Sequence, residues 1–215
     1  MEIFISIDGV IRNLIQKFDY HYKDAFVDVE TEDDSFEYGI IEPIENDNII
    51  NSYKFQSKEE FEYFLFIEYP IEIFGHAGLS YSTTFSDLNS MIYNNQEHNF
   101  TLVGLDELGK SKPATLFFLS KNGFLGNNIK FSTSDNIDNL WEKCDMWITD
   151  NKNIINNCPE GKKVYKFNTP YNQHFTNDLE ISKLNEIQEL WLKSLEKSTS
   201  STLTELPTSA EQEEQ

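Results

Sequence analysis

The stretch Ile3-Phe4-Ile5-Ser6-Ile7-Asp8-Gly9-Val10-Ile11-Arg12 constrains this chain most, because it is apolar except where Ser6, Asp8 and a glycine interrupt it. β-branched and aromatic residues followed by Asp-Gly read as a buried strand ending in a loop. Side chains alternate along a strand, so Ser6 and Asp8 share one face. In an open parallel α/β sheet, the loop at the carboxyl end of such a strand is where ligands bind. Ser6 and Asp8 are therefore the first candidate site residues.

The rest of the chain supplies a sheet for that strand to join. Residues 115–119 (Thr-Leu-Phe-Phe-Leu) read as a buried strand ending in Ser120-Lys121-Asn122-Gly123. Short strands follow at 129–131, at 146–148 before Thr149-Asp150-Asn151-Lys152, and at 163–167. Helices are expected over 135–143, with Asp135 as cap, and over 153–157. This alternation predicts an α/β fold: a Rossmann-like, parallel, five-stranded sheet with helices on both faces. Right-handed crossovers bring the polar strand ends to one edge.

Between the first strand and residue 110 the pattern is less regular. A helix is expected over 13–23, with Leu14, Ile15, Phe18 and Tyr22 on one side. Residues 24–51 are acidic and irregular and read as a solvated loop, an edge hairpin or a partner-binding insert. Ser57 and Glu60 stand at capping-box spacing ahead of Phe61, Phe64 and Leu65. Pro70 marks an end or a kink, and a further helix is expected over 82–94. His76, in a glycine-flanked turn, reads as structural, since no second metal ligand lies at suitable spacing. Ile181, Leu184, Ile187, Leu190, Trp191 and Leu195 recur every three or four residues, predicting an amphipathic C-terminal helix. The Ser-, Thr- and Glu-rich tail from residue 198 is expected to be disordered.

The formal charge is −20 and the isoelectric point is near 4.4, which argues against nucleic-acid or anionic-membrane surfaces, both of which require clustered Lys and Arg. A basic or metal-bearing partner suits such a surface better, and its plainest reading is a solvated acidic face. Two cysteines, Cys144 and Cys158, give neither a disulfide framework nor a cysteine-rich zinc site. No stretch has the length and apolarity of a membrane span or a secretory leader. The expected location is the cytoplasm or a particle assembled inside a cell.

These strand ends resemble the haloacid dehalogenase superfamily of phosphohydrolases. Ile5-Ser6-Ile7-Asp8-Gly9-Val10 resembles its first motif, Asp-x-Asp-Gly-Val, and Phe118-Leu119-Ser120 resembles its second, a strand ending in Ser or Thr. Residues 144–151, continuing through Asn168-Thr-Pro-Tyr-Asn172, resemble the fourth motif and following strand of the 5′(3′)-deoxyribonucleotidase-like branch. The match covers the first 20 residues and roughly 114–175. The resemblance implies a core over 1–20 and 110–178, a cap over 21–109 between the first and second strands, a C-terminal helix over 179–197 and an acidic tail over 198–215. It also implies Mg²⁺ dependence and phosphomonoester substrates in active members. Many members of that branch are encoded by tailed bacteriophages, which makes a virion protein one concrete possibility.

The departures from those motifs bear directly on function. Serine stands at position 6, where active members carry the attacking carboxylate, and a hydroxyl without an adjacent base is a poor nucleophile near neutral pH. Asp8 keeps the spacing of the general acid/base. Thr149-Asp150 replaces a pair of aspartates, leaving Asp150 as a lone metal ligand, while hard Mg²⁺ depends on anionic oxygens. No lysine, Lys121 and Lys143 included, fits the third motif. The sequence therefore reads as a catalytically degraded member with vestigial positions Ser6, Asp8 and Ser120, no cofactor, and a binding or assembly role with a protein partner. The alternative is a weak or altered Mg²⁺-dependent phosphatase using Asp8, Ser120 and Asp150.

Overall fold

A computed structural model describes residues 1–27, 36–41, 51–187 and 190–191. The elements run in the order β1 (Glu2–Ser6), β2 (Arg12–Asn13), α1 (Ile15–Tyr22), α2 (Lys58–Tyr63), β3 (Gly78–Leu79), α3 (Thr84–Asn94) and β4 (Asn99–Leu105), then α4 (Lys112–Lys121), β5 (Ile129–Ser132), α5 (Ile137–Glu142), β6 (Met146–Thr149), α6 (Lys152–Asn156), β7 (Lys163–Phe167) and β8 (Glu180–Ile181). Turns of π-helix at Lys23–Val27, Phe64–Glu68 and Ile71–Gly75 extend or follow the first two helices.

Six strands form one sheet in the order β5-β4-β1-β6-β7-β8, every neighbouring pair parallel. The first strand is thus central. Its alternation sends Ile3, Ile5 and Ile7 to one face and Phe4 to the other. On the first face these residues pack with Phe85, Leu88 and Met91 of α3, Phe118 and Leu119 of α4, and Leu184 and Ile187. On the second face Phe4 meets Trp147 of β6, Leu140 and Trp141 of α5, and Ile154 and Ile155 of α6. Helices therefore cover both faces, as a wholly parallel sheet requires.

Several expectations need correction. Among the described residues the sheet has six strands, not five. The run at 115–119 is helical: Ala114, Thr115, Phe118 and Leu119 are buried at helical spacing, while Leu116 and Phe117 face outward. Pro113 in the first helical turn marks that start. The second strand of the sheet is instead β4, so residues 99–105, expected in a cap, belong to the sheet. Residues 180–181, expected to begin a helix, pair with β7 as its outer neighbour. Helix resumes at 185–187 and 190–191, and the tail from 198 lies outside the described residues, as does most of 24–51.

Other local readings hold. Ser57 caps α2, its Oγ accepting from the Glu60 N–H at 3.2 Å, and the Glu60 carboxylate reaches back to the Gln56 N–H at 2.6 Å. The chain between β1 and β4 builds an aromatic cluster of its own, centred on Phe18, Tyr22, Tyr53 and Phe64. Phe18 and Tyr53 meet edge to face at 4.6 Å between ring centroids. No described helix is long and apolar enough to cross a membrane.

Candidate functional site

The sheet order places a reversal of winding between β1 and β6, since crossovers leave these neighbours toward opposite sides. In open α/β sheets a crevice forms outside the carboxyl ends of two such strands. Here a cavity of about 220 Å³ lies at that position, lined by Ser6, Asp8 and Gly9 after β1, by Leu105 at the end of β4, and by Asp150 and Asn151 after β6. Tyr171 closes one side, and Leu14, Ile15, Leu65, Phe66 and Phe74 form the apolar walls.

Three of the four residues singled out from the sequence meet here. The Ser6 hydroxyl is buried, donates to Thr149 Oγ1 at 2.8 Å and accepts from Trp147 Nε1 at 3.1 Å. Thr149 Oγ1 also accepts from the Asn151 N–H at 3.1 Å. The two strand ends are therefore stitched together by neutral hydroxyls.

Asp8 sits one turn of loop further on, where Arg12 and Ile11 N–H groups bond back to the Ile7 carbonyl. Its Oδ1 accepts from Arg12 Nε at 2.7 Å and lies 2.6 Å from a terminal guanidinium nitrogen. Arg12 is only 1 % exposed. Its remaining nitrogen donates to the Phe74 carbonyl at 2.9 Å and to Thr115 Oγ1 at 3.0 Å, and the rings of Phe74 and Phe118 flank it. One buried cation thus ties the loop after β1 to the residues before β3 and to α4.

Asp150 is buried against Gly9. That glycine has φ +80°, and a Cβ built on it would stand 1.9 Å from an Asp150 carboxylate oxygen, so conformation and space both demand glycine. Asp150 Oδ2 accepts from the Tyr171 hydroxyl at 2.5 Å. Burial and the neighbouring carboxylate hold the Tyr171 phenol well above its ordinary pKa, so it stays a donor. Asn172 pins the same loop, donating to the Phe167 carbonyl at 2.8 Å and accepting from the Thr169 N–H at 2.9 Å. The Pro-Tyr-Asn segment, noticed in the sequence as a motif ending, therefore supplies a wall of the site.

Ser120 does not join these residues. It lies exposed in the last turn of α4, away from any strand end. The strand that ends beside β1 is β4, and Asp106 comes directly after it. The Asp106 carboxylate accepts from the backbone N–H groups of Lys110, Ser111 and Lys112 at 2.9–3.1 Å, capping α4. His76 is exposed outside the cavity, with its Nδ1 3.2 Å from Lys121 Nζ. Cys144 is deeply buried, its thiol pushed up to about 12 by burial, which removes it as a nucleophile.

No protein-family model and no curated protein matches this chain. The chemistry of the site therefore rests on its own residues. The Mg²⁺ that the resemblance implies needs near-octahedral oxygen ligation with anionic donors. Positions 6 and 149 offer neutral hydroxyls bonded to each other, and one oxygen of Asp8 is held by Arg12. This donor set does not fit a Mg²⁺ centre. Sequence reasoning missed Arg12, Tyr171 and Asp106; the i, i+4 spacing of Asp8 and Arg12 and the Pro113 helix start were the signals available for two of them.

Proposed function

We propose that the chain is a ligand-binding or assembly domain built on a phosphohydrolase-like scaffold, with its reaction chemistry lost. The observation that carries this reading is the Ser6–Thr149 hydrogen bond of 2.8 Å. At the two positions where active members of the resembled superfamily carry carboxylates, neutral hydroxyls satisfy one another. Among the described residues Ser6 has no base at its oxygen: its hydrogen-bond partners are a threonine hydroxyl and an indole N–H. Asp8, the remaining acid/base candidate, is tied to a buried guanidinium that also braces the fold. In this reading the residues between β1 and β4 act as a cap over the strand ends, contributing Leu65, Phe66 and Phe74 to the cavity wall. The acidic surface faces a protein partner, of which a virion component is one form.

The test is an assay of the full chain with Mg²⁺ against p-nitrophenyl phosphate and nucleoside monophosphates. No turnover above the uncatalysed rate is expected. Turnover that disappears in Asp8→Asn would overturn the proposal in favour of a weak phosphatase.

A further inference from the structure

The cavity at the β1 and β6 ends carries a definite electrostatic character. Two carboxylates, Asp8 and Asp150, stand on its wall, and no Lys, Arg or His is among the described residues that line it. Arg12 lies behind Asp8, with every nitrogen directed to Asp8, Phe74 or Thr115. Both Arg12 contacts with Asp8 fall on Oδ1, and among the described residues Oδ2 accepts no hydrogen bond. The Asp8 side chain is 33 % exposed and lines the cavity.

Most of the remaining wall is apolar or aromatic, with Ser6 and Asn151 as further polar groups. Phe66 and Phe74 stack at 5.7 Å with an interplanar angle of 20°, and Leu14, Ile15 and Leu65 complete the enclosure. Apolar walls lower the local dielectric and strengthen each charge interaction. A phosphate dianion entering here would meet the Asp150 carboxylate and Asp8, whose Arg12 partner lies behind it, with no cationic side chain among the described residues of the wall. An ammonium or guanidinium would meet two carboxylates and aromatic faces, both attractive to it. A cavity of about 220 Å³ has room for a short aryl or alkyl amine.

We propose that this cavity binds a small organic cation, an ammonium group on an apolar stem, held between Asp8 Oδ2 and Asp150. The proposal rests on the binding-domain reading of the chain and names its ligand class. The ammonium can belong to a free amine or to a lysine side chain of a partner.

Isothermal titration calorimetry of the full chain with phenethylamine tests it. Binding with a Kd of about 1 mM or tighter is expected, with N-acetylphenethylamine at least about tenfold weaker because the charge is gone. That comparison alters the ligand and leaves the protein untouched. Asp150→Asn is expected to weaken phenethylamine by about tenfold, and Ile15→Trp, which adds bulk to the cavity wall, to abolish binding, with near-ultraviolet circular dichroism confirming the fold of each. Nα-acetyl-lysine methylamide binding more tightly than phenethylamine assigns the cation to a partner's lysine; the reverse assigns it to a free amine. Equal binding of the acetylated and free amines overturns the proposal. Inorganic phosphate binding in place of the amine also overturns it while leaving a binding domain. Binding of neither amine nor phosphate removes both the cation site and the ligand-binding role of this cavity. Phosphatase turnover, by contrast, would overturn the lost chemistry alone.

Discussion

The ends of β1 and β6 lie side by side and each carries an aspartate, yet the two carboxylates are held in different ways. Asp8 is balanced by a full positive charge, and Arg12 is buried so completely that it serves as a bracket between three segments. Asp150 is packed against a glycine and hydrogen-bonded by a phenol. The first arrangement contributes chiefly to the fold, because a buried charge left without its partner is costly. In the second, Tyr171 contributes a dipole and no charge. Proximity to a strand end is therefore not a sufficient guide to what an aspartate does; its partners decide.

That contrast can be broken most sharply at Arg12. Arg12→Ala removes hydrogen bonds to Asp8, Phe74 and Thr115 at once, and a loss of about 4 kcal/mol is expected in urea denaturation. The paired change Arg12→Met with Asp8→Asn removes both charges and should recover about half of that loss. If the double variant is as unstable as the single one, the bracket depends on hydrogen bonding and packing and not on the ion pair.

Gly9→Ala comes next. Its φ of +80° and the overlap with Asp150 together predict a destabilisation of about 3 kcal/mol, read from the same denaturation midpoint.

Tyr171→Phe tests the β6 side directly. Losing a hydrogen bond to a buried carboxylate should cost about 2 kcal/mol at neutral pH. The pH dependence has a definite sign. The folded chain raises the Tyr171 pKa, so the stability linked to its neutral form is complete below the unfolded value of about 10 and is lost as pH rises above it. Denaturation between neutral and strongly alkaline pH should show a shallower decline in Tyr171→Phe. Tyr81, also raised by burial, contributes a decline of the same sign in both proteins.

The smallest effect is expected at the seam between the two strand ends. Ser6→Ala takes from Trp147 Nε1 and Thr149 Oγ1 the hydroxyl that bonds them both, for a loss of about 1 kcal/mol by urea denaturation. Amine binding in the cavity should persist in this variant, since Asp8 and Asp150 remain on its wall.

Much of this arrangement was legible in the chain itself where the signal is local. The strands at 129–131, 146–148 and 163–167 were readable because short β-branched and aromatic runs are bounded by turn residues. Residues 115–119 misled because an apolar run of five satisfies a buried strand and a helix alike, and only Pro113 arbitrates. The strand at 99–105 falls in the region expected as a cap, and the two-residue β8 exists only as an edge partner of β7. Ser120 comes directly after that run and therefore lies in the last turn of α4, while Ser6, Asp8 and Asp150 come together at the cavity because each stands at or just after the end of a strand at the centre of the sheet.

The sequence alone determined that Asp8 and Asp150 would stand at strand ends of a parallel α/β sheet, because alternation and turn residues are properties of neighbouring positions. It also determined that Gly9 would follow Asp8, a requirement for positive φ that can be suspected locally. Only the tertiary structure decided what each carboxylate touches. Arg12 reaches Phe74 and Thr115, and Tyr171 reaches Asp150, through contacts that depend on sheet order and crossover packing. Those partners set the electrostatics of the cavity, because charge compensation acts through distance in space and not through separation along the chain.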